Sequence, residues 1–409
     1  MLIVQKYGGT SVANLERIRK VAERVSSYKR AGHDLVVVVS AMAGETDRLI
    51  KLAMEITPNP PLRELDMLVS TGEQVTSSLL AITLHSMGYK SIALLGYQVP
   101  IYTTSLFTKA RILEIKIDKI KKELSDGKIV IVAGFQGVTE DGDITTLGRG
   151  GSDTTAVALA AALKADLCEI YTDVEGVYTA DPRIVLNARK LRKISYEEML
   201  EMASAGAKVL EMRSVELAMI YKVPLVVRSS FNYSEGTLIT EEDEEMEKVL
   251  VSGVTYNRNE ARVSIYGLPD RPGVAAKIFG PIGEAGIVVD MIIQTGRPDG
   301  KADLTFTVPR NDFKQTLEII KEICKDLGVE RIEGDEKIAK VSIVGAGMKT
   351  HSGVATKMFE TLAKHGINIM MISTSEIKIS CVIEDKYTEL AVRALHEAFN
   401  LEGEGKEEK

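Results

Sequence analysis

A glycine-rich segment that leads directly into an apolar helix-forming run constrains the fold more than any other feature of this chain. Gly148, Gly150 and Gly151 allow positive φ and a close approach to the backbone. Ser152 or Asp153 could cap the helix that follows, and the free N–H groups of its first turn would then bind an anion. The segment therefore predicts an anion site at a strand-to-helix junction, with a plain glycine-rich turn as the alternative.

Two charged side chains in this segment sharpen the prediction. Arg149 offers a planar guanidinium that suits a carboxylate or a phosphate, with an ordinary surface arginine as the alternative. Asp153 is an acid in a loop that otherwise attracts anions. We therefore expect Asp153 to position a metal ion, a lysine or an ammonium group.

Length and composition exclude several classes of protein. At 409 residues the chain is too long for one ordinary core, so two or three domains are expected. A net charge of −7 argues against nucleic acid as a partner, and no apolar run approaches the roughly 20 residues that span a bilayer. Three distant cysteines without metal-ligand spacing indicate a reducing compartment. We expect a cytoplasmic protein that binds neither nucleic acid nor membranes.

Short aliphatic runs alternate with helical patterns in the first part of the chain, which predicts an α/β layered fold with ligands at the carboxyl ends of the strands. A capping box at Ser195 opens one of the helices. The predicted strands are of the kind that is buried on both faces of a parallel sheet. They are Leu2 to Val4, Leu35 to Val39, Ser91 to Leu95, Ile129 to Ala133, Leu167 to Tyr171 and Pro224 to Val227.

The last third of the chain repeats itself. Residues 261–267 match 339–345, and residues 273–279 match 353–359. A spacing of about 80 residues indicates one small α+β domain per copy rather than a solenoid unit. An acidic run at residues 241–245 marks either a linker or an exposed helix turn. The predicted domains are 1–245, 250–332 and 333–402, followed by a disordered tail at 403–409.

Lys6, Gly8 and Gly9 form a second glycine turn, directly after the first predicted strand. The glycines let backbone N–H groups approach phosphate oxygens, and Lys6 can place a point charge on a transferring group. The spacing is neither that of a P-loop nor that of a dinucleotide-binding loop, so the turn is a weak motif by itself. Two such turns in one domain favour phosphate binding.

Three polar residues lie at the ends of other predicted elements. Ser40 lies at the end of the second predicted strand and Thr46 at the start of the next helix. Polar residues at such positions more often only cap the backbone than bind a ligand. Glu73 lies beside Gly72 in an apolar neighbourhood, where a carboxylate needs a cationic partner. An ammonium group of the substrate is one candidate.

Two consecutive turns follow the strand that ends at Tyr171. In them Tyr178 and Arg183 could hold an adenine and its phosphates. Lys208 is a further candidate cation, although surface lysines are far commoner. Together with the glycine turns these residues predict phosphoryl transfer from a nucleotide that carries its own divalent metal. No histidine lies in any motif, which mildly favours a carboxylate over a hydroxyl as the acceptor.

Six motifs, in the same order, resemble the signatures of the aspartate kinase family, and the tail repeat is similar to the tandem ACT domains of that family. The resemblance covers nearly the whole chain. It implies an α/β fold, a three-layer αβα sandwich of the amino-acid-kinase type with a mainly parallel sheet, followed by two α+β ferredoxin-like ACT domains. The motifs are Lys6 to Ser11, Val39 to Met42, Thr71 to Glu73, Gly134 to Gly137, Gly148 to Asp153 and Tyr171 to Arg183.

The resemblance also implies a reaction and the roles of its residues. ATP would phosphorylate the side-chain carboxylate of L-aspartate, the first step towards lysine, threonine and methionine. Lys6 would stabilise the transferred phosphoryl group and Asp153 would organise the catalytic groups. The aspartate would be held by Arg149 and Glu73, helped by Ser40, Thr46 and Ser152. ATP, with Mg²⁺ held mainly by the nucleotide and by no protein metal site, would lie along Gly8, Gly9, Thr172, Asp173, Tyr178, Arg183 and Lys208.

In the repeats the resemblance implies sites for lysine and/or threonine as allosteric inhibitors, shared between the chains of a homo-oligomer that pairs through its ACT domains. The loops that open the helices would bind the effector carboxylate. The alternative is that Gly273 and Gly353 are turn glycines only. The candidates are Asp270, Gly273, Val274, Ala275, Asp290 and Gln294 in the first copy, and Ser352, Gly353, Val354, Ala355, Asn368 and Ile369 in the second.

Met246 lies just before the repeats. In one subgroup of the family an internal start there produces a separate small regulatory subunit. Two other functions compete with aspartate kinase: a related kinase that acts on glutamate, and an amino-acid sensor without catalytic activity.

Overall fold

A computed structural model describes residues 1–207, 209–243, 246, 249–349 and 351–402. Within these residues the chain forms two compact units. Segment 178–189 belongs to the second unit, although the sequence placed all of residues 1–245 in one domain. Residues 244–245 of the acidic run and the tail 403–409 lie outside the described residues. The first unit contains Met1–Val177, Lys190–Ser204 and Lys208–Met246, and the second contains Tyr178–Arg189, Ala205–Ala207 and Glu247–Lys409.

The strands of the first unit include all six that the sequence predicts. They are β1 Leu2–Tyr7, β2 Asp34–Val39, β3 Ser91–Leu94, β4 Ile101–Thr103, β5 Ile112–Ile115, β6 Ile129–Ala133, β7 Gln136–Val138, β8 Ile144–Thr146, β9 Leu167–Thr172, β10 Lys193–Ser195, β11 Leu225–Ser229 and β12 Thr237–Thr240. Eight of them form a central sheet in the order β10-β12-β11-β9-β1-β2-β6-β3. Neighbouring strands are parallel except β11 and β12. A smaller sheet has the order β5-β4-β7-β8.

The helices of the first unit are α1 Leu15–Arg30, α2 Glu45–Ile56, α3 Leu62–Val69, α4 Thr71–Ser86, α5 Asp118–Ser125, α6 Gly151–Leu163, α7 Tyr196–Ser204 and α8 Met212–Tyr221. On one face of the central sheet α1 and α4 share a buried core with it, in which Ile18 and Leu80 meet Val37. On the other face α6 packs against β1, β2 and β9. The predicted three-layer αβα arrangement is therefore confirmed.

Local sequence explains why these elements form. Five consecutive aliphatic residues of β2 are buried, as expected for a parallel strand covered on both faces. The predicted capping box is present before α7. The backbone N–H of Glu198 donates to Ser195 Oγ at 3.1 Å, and a Glu198 carboxylate oxygen accepts from the Ser195 N–H at 3.1 Å.

The second unit contains both repeat copies in one antiparallel sheet, in the order β14-β15-β13-β16-β18-β17. Its strands are β13 Gly253–Pro269, β14 Ile292–Gly296, β15 Lys301–Val308, β16 Arg331–Val344, β17 Met371–Thr374 and β18 Lys378–Glu384. Its helices are α9 Val274–Glu284, α10 Phe313–Cys324, α11 Val354–Lys364 and α12 Thr388–Ala398. The long strands β13 and β16 pair with each other, so the two copies form a continuous sheet.

None of the helices among the described residues is both long enough and apolar enough to cross a membrane.

Candidate active site

The carboxyl ends of β1, β2, β6 and β9 lie side by side in the first unit, and backbone hydrogen bonds join the loops that follow them. The N–H of Gly8 donates to the Tyr171 carbonyl at 3.3 Å, and the N–H of Ser40 donates to the Tyr7 carbonyl at 3.0 Å. The N–H of Gly134 donates to the Val39 carbonyl at 3.0 Å. Residues that are far apart in sequence therefore meet at one edge of the sheet.

Lys6 and Asp153 face each other at this edge. Lys6 Nζ lies 2.5 Å from Asp153 Oδ1, and the two side chains are only 12% and 11% exposed. Lys6 comes from β1 and Asp153 from the first turn of α6, so the contact joins the two glycine turns that the sequence singled out. The acid positions a lysine, which is one of the three partners expected for it. A Cβ on Gly8 would lie 3.2 Å from Lys6 Nζ, so glycine leaves the space next to the ammonium group open.

The glycine turn before α6 adopts the predicted backbone conformation with a different cap. Gly148 and Gly150 have φ values of +77° and +67°. The N-cap is Gly150, without a side-chain cap hydrogen bond, and the helix begins at Gly151. The prediction that Ser152 or Asp153 caps this helix is therefore wrong, because both lie in its first turn.

Glu73 is a buried acid in the first turn of α4 and is 3% exposed. Its Oε1 accepts a hydrogen bond from the Ala41 N–H at 2.9 Å, while its buried Oε2 has no partner among the described residues. Burial raises the pKa of Glu73 to about 7. A Cβ on Gly72 would lie 2.7 Å from Ala41 Cβ, so this close packing requires glycine. A buried acid with a free oxygen suits a cation that arrives with a ligand.

The other residues predicted to bind the substrate lie on different helices and loops of the first unit. Ser40 follows β2 and is half-buried, and Thr46 is half-buried in the first turn of α2. Ser152 is buried in α6, where a Cβ on Gly134 would lie 2.8 Å from Ser152 Oγ. Arg149 lies exposed on the glycine turn. Its guanidinium is therefore accessible to a ligand.

Two supporting residues were missed by the sequence analysis. Asp66, fully buried on α3, accepts hydrogen bonds from the N–H groups of Thr108 and Thr146, each at 2.8 Å. Arg213 on α8 donates to the Leu147 carbonyl at 2.7 Å. Both residues hold the chain just before the glycine turn at Gly148. The only sequence signal was a charged residue inside an amphipathic helix.

The predicted nucleotide residues are divided between the two units. Thr172 ends β9 in the first unit, and its hydroxyl donates to Asp173 Oδ1 at 3.0 Å. Tyr178 and Arg183 belong to the second unit, where Arg183 forms an ion pair with Asp181 at 2.8 Å. Lys208 lies outside the described residues.

The second unit contains a cavity of about 400 Å³ in its first repeat copy. Gly273 caps α9 in the left-handed conformation, with φ +91°. Five of the six effector candidates of this copy line the cavity, and the lining is Leu268, Pro269, Asp270, Arg271, Pro272, Gly273, Val274, Ala275, Ile278, Gln294, Ala302 and Leu304.

Asp290, the sixth candidate, does not line this cavity. Its carboxylate forms an ion pair with Lys340 on β16, and Lys340 Nζ also lies 3.4 Å from Glu260 Oε1. Burial raises the pKa of Glu260, and the nearby Lys340 ammonium group offsets part of this rise. Lys340 comes from the second copy and is buried, so it links the buried Glu260 and the exposed Asp290 of the first copy to the second.

In the second repeat copy, helix α11 begins in the same way as α9 does in the first copy. Gly353 caps α11 with φ +91°, Val354 is buried, and Ser352 and Ala355 flank them. Beyond this helix Asn368 is exposed and Ile369 packs against the core. In the ranges that the structure describes, no group of three acidic, histidine or cysteine side chains could hold a metal ion.

Comparisons with known proteins agree with this architecture. The amino acid kinase family matches residues 1–229, and the ACT domain matches residues 261–328 and 341–399. The aspartokinase of Pseudomonas aeruginosa is 60% identical over 403 residues, which cover 98% of this chain and 98% of that protein.

Two solved structures show similarity along nearly the whole chain. The first is the crystal structure of E. coli aspartokinase III in complex with aspartate and ADP (R-state), with a TM-score of 0.83 and 28% identity, covering 97% of this chain and 99% of that chain. The second is E. coli aspartokinase III in complex with lysine and aspartate (T-state), with a TM-score of 0.78 and 27% identity and the same coverage. The chain therefore belongs to the aspartate kinases, as an amino acid kinase domain followed by two ACT domains.

Proposed function

We propose that this kinase transfers the γ-phosphoryl group of ATP to the side-chain carboxylate of L-aspartate and yields 4-phospho-L-aspartate. One carboxylate oxygen forms a bond to the γ-phosphorus. The bond from that phosphorus to the bridging oxygen breaks, and ADP leaves with the electron pair. The contact between Lys6 and Asp153, where the two glycine turns meet, is the observation that carries this proposal. It provides a held cation beside open glycine backbone, as phosphoryl transfer needs.

In this proposal each residue has a distinct task. Lys6 neutralises charge on the transferred phosphoryl group, and Asp153 holds the Lys6 ammonium in place. Glu73 binds the ammonium group of aspartate through its unpaired oxygen, and the exposed Arg149 binds the α-carboxylate. The polar side chains of Ser40, Thr46 and Ser152 complete the aspartate site.

The family resemblance also assigns residues to the nucleotide. The backbone of Gly8 and Gly9 contacts the phosphates, together with Thr172, Asp173, Tyr178, Arg183 and Lys208. By the same resemblance, Mg²⁺ would be held mainly by the phosphates of ATP. Mg²⁺ would neutralise phosphate charge.

A hydroxamate assay with ATP and Mg²⁺ tests this function, because hydroxylamine traps an acyl phosphate. We expect turnover with L-aspartate and at most a few per cent of that rate with L-glutamate or N-acetyl-L-glutamate. Faster turnover with either of these would assign a related kinase activity instead. No turnover with any of them, together with retained amino-acid binding, would identify a sensor.

We also propose feedback inhibition by lysine and/or threonine, the amino acids to which the reaction leads along with methionine. Two features support it: the cavity in the first ACT domain and the lysine named for E. coli aspartokinase III. The same assay, run with lysine, with threonine and with both, should show a loss of activity in at least one condition. Full activity in all three would contradict this part of the proposal.

Pairing of chains through the ACT domains is proposed from the edges of their sheet. β14 and β17 are its outer strands, and they expose Ile292 and Ile372. A free edge with exposed aliphatic side chains favours pairing with another chain. Analytical ultracentrifugation should show a dimer or a larger oligomer, and a strictly monomeric protein at micromolar concentration would contradict this expectation.

Met246 is proposed as the start of a separate regulatory subunit. It is buried, and its N–H donates to the Asp243 carbonyl at 3.0 Å. Expression of the native gene should give two products that an antibody against the ACT domains detects. Met246→Leu, which conserves side-chain volume, should remove only the smaller product. A single full-length product from the native gene would exclude this start.

A further inference from the structure

The chain segment 178–189 is built into the core of the second unit, which contains both ACT domains and is called the ACT unit below. It follows Val177 directly and carries Tyr178 and Arg183, yet its packing partners come from the far end of the chain. Ala180 and Val185 are buried in the same core as Val341 and Leu395. Close to the other end of the segment, Ala188 pairs with Glu402 in a β-bridge.

Thr179 anchors this segment and is fully buried. Its hydroxyl oxygen lies 2.9 Å from His396 Nε2 and donates to the Leu401 carbonyl at 3.1 Å. Because the hydroxyl has a single proton, His396 Nε2 must be the donor in the other contact. The backbone carbonyl of Thr179 accepts from the Val254 N–H at 2.8 Å. His396 thus completes the hydrogen bonding of a hydroxyl that is buried away from water.

A second contact fixes the part of the segment next to Arg183. Asp181 Oδ2 accepts a hydrogen bond from the Tyr256 hydroxyl at 3.0 Å and another from Arg183 Nη2 at 2.8 Å. Side-chain hydrogen bonds from Arg183 lower the pKa of Asp181, so this acid stays ionised near neutral pH. One carboxylate therefore joins Arg183 to β13 of the ACT unit.

We propose that His396 is a positioning residue for ATP binding, since it holds the segment that carries Tyr178 and Arg183. The proposal rests on the proposed function, which assigns these two residues to the nucleotide. It gives the ACT unit a direct means to change ATP affinity, because a shift of α12 moves the anchor of Thr179. By reciprocal linkage, ATP binding must then affect any ligand that shifts α12.

Four variants test this role. His396→Ala and Thr179→Val each remove the anchoring hydrogen bond and should raise the KM for ATP roughly five- to thirtyfold. The KM for aspartate and the kcat should stay within about twofold of the wild type, well below the change in the KM for ATP. Thr179→Ser keeps the hydroxyl and should retain the wild-type KM for ATP. His365→Ala is the matched control, because His365 is exposed and its Nδ1 lies 2.9 Å from the Thr361 carbonyl of the helix just before it.

Binding measurements keep this inference separate from the proposed function. The affinity for a fluorescent ATP analogue should fall in both His396→Ala and Thr179→Val, whether or not the wild type phosphorylates aspartate. The fall should be at least as large in Thr179→Val, which also loses the hydroxyl bonds to the Leu401 carbonyl and the Arg189 N–H. Hydrogen exchange in residues 178–189 should be faster in both variants and unchanged in His365→Ala. Unchanged ATP affinity in a folded Thr179→Val variant would overturn the proposal, as would an equal rise of both KM values.

Discussion

Two helices of this protein begin in the same way and have opposite surroundings. α6 follows Gly150 at φ +67°, and α9 follows Gly273 at φ +91°. A Cβ on Gly150 would lie 1.8 Å from Glu211 Cγ, whereas a Cβ on Gly273 would have no atom within 4 Å. The helix start in the kinase unit is enclosed and holds Asp153 against Lys6. The helix start in the ACT unit is exposed beside a cavity.

This difference shows how one local motif serves two purposes. In the enclosed helix start, close packing holds the charged groups in place before the substrate binds. Electrostatic catalysis requires such preorganised groups. The exposed helix start has space around it and can move when a ligand binds. A ligand shifts the equilibrium between two conformations of a protein only if it binds them with different affinities. Changes in the first region should therefore alter catalysis and stability, while changes in the second should alter regulation.

The largest effect is expected from Lys6→Ala. The loss of this cation should lower kcat by about 100- to 1000-fold, the range seen when one transition-state donor is removed. ATP binding should be retained, because the glycine backbone still contacts the phosphates. The control is Lys20→Ala, since Lys20 is exposed and forms a surface ion pair with Glu16 at 2.9 Å. If Lys6→Ala keeps more than a third of the wild-type kcat, the enclosed region is not the catalytic one.

The second test compares the two glycines directly. Gly150→Ala should lower the free energy of unfolding by about 2–4 kcal/mol, because a strained φ is combined with a clash against Glu211. Gly273→Ala should cost only about 1–2 kcal/mol, from backbone strain alone. Gly353→Ala is the control, with φ +91° and equally open space. Urea unfolding measures the free energy of unfolding of all three variants. Equal losses for Gly150→Ala and Gly273→Ala would contradict the difference between the enclosed and the exposed helix start.

The third test uses the pH dependence of Glu73. Its pKa of about 7 in the folded protein exceeds the ordinary glutamate value of 4.5, so the folded state binds the extra proton. The free energy of unfolding without ligand should therefore fall as pH rises from about 4.5 to 7 and stay level above 7. An aspartate ammonium group favours the ionised carboxylate, so binding should release a proton below pH 7.

Calorimetry at pH 6 in buffers of different ionisation enthalpy measures that release. Aspartate affinity should rise about tenfold per pH unit between pH 5 and 6, and level off above pH 7. Glu73→Gln should bind aspartate more weakly and release no proton. Proton release that persists in Glu73→Gln would assign the titration to another group.

The sequence predicted the parts of the fold that depend on local patterns. The six strands of the central sheet follow from their aliphatic runs, and the edge where Lys6 and Asp153 meet follows from parallel strands with loops at the same end. Even so, the cap of α6 was predicted wrongly. Serine and aspartate are frequent N-cap residues, which is why they were predicted here. The N-cap is Gly150 instead, because the turn needs a residue in the left-handed conformation at that position.

Contacts between distant parts of the chain could not be predicted. Asp66 bonds to Thr146 across 80 residues, and Thr179 bonds to His396 across 217 residues. Neither pair has a periodicity or a spacing that a single sequence reveals. The assignment of segment 178–189 to the ACT unit depends on such contacts, and so does the pairing of β13 with β16.

The smallest effect is expected from Gln294→Ala in the ACT cavity. Gln294 lies on β14 and lines the cavity, so the loss of its amide should remove one hydrogen bond to the inhibitor. The concentration of lysine or threonine that gives half-inhibition should rise roughly three- to tenfold, with an unchanged kcat without inhibitor. Thr295→Ala on the same strand is the control, because neighbouring strand residues face opposite sides. A fall in the uninhibited kcat of Gln294→Ala would show that the open region takes part in catalysis.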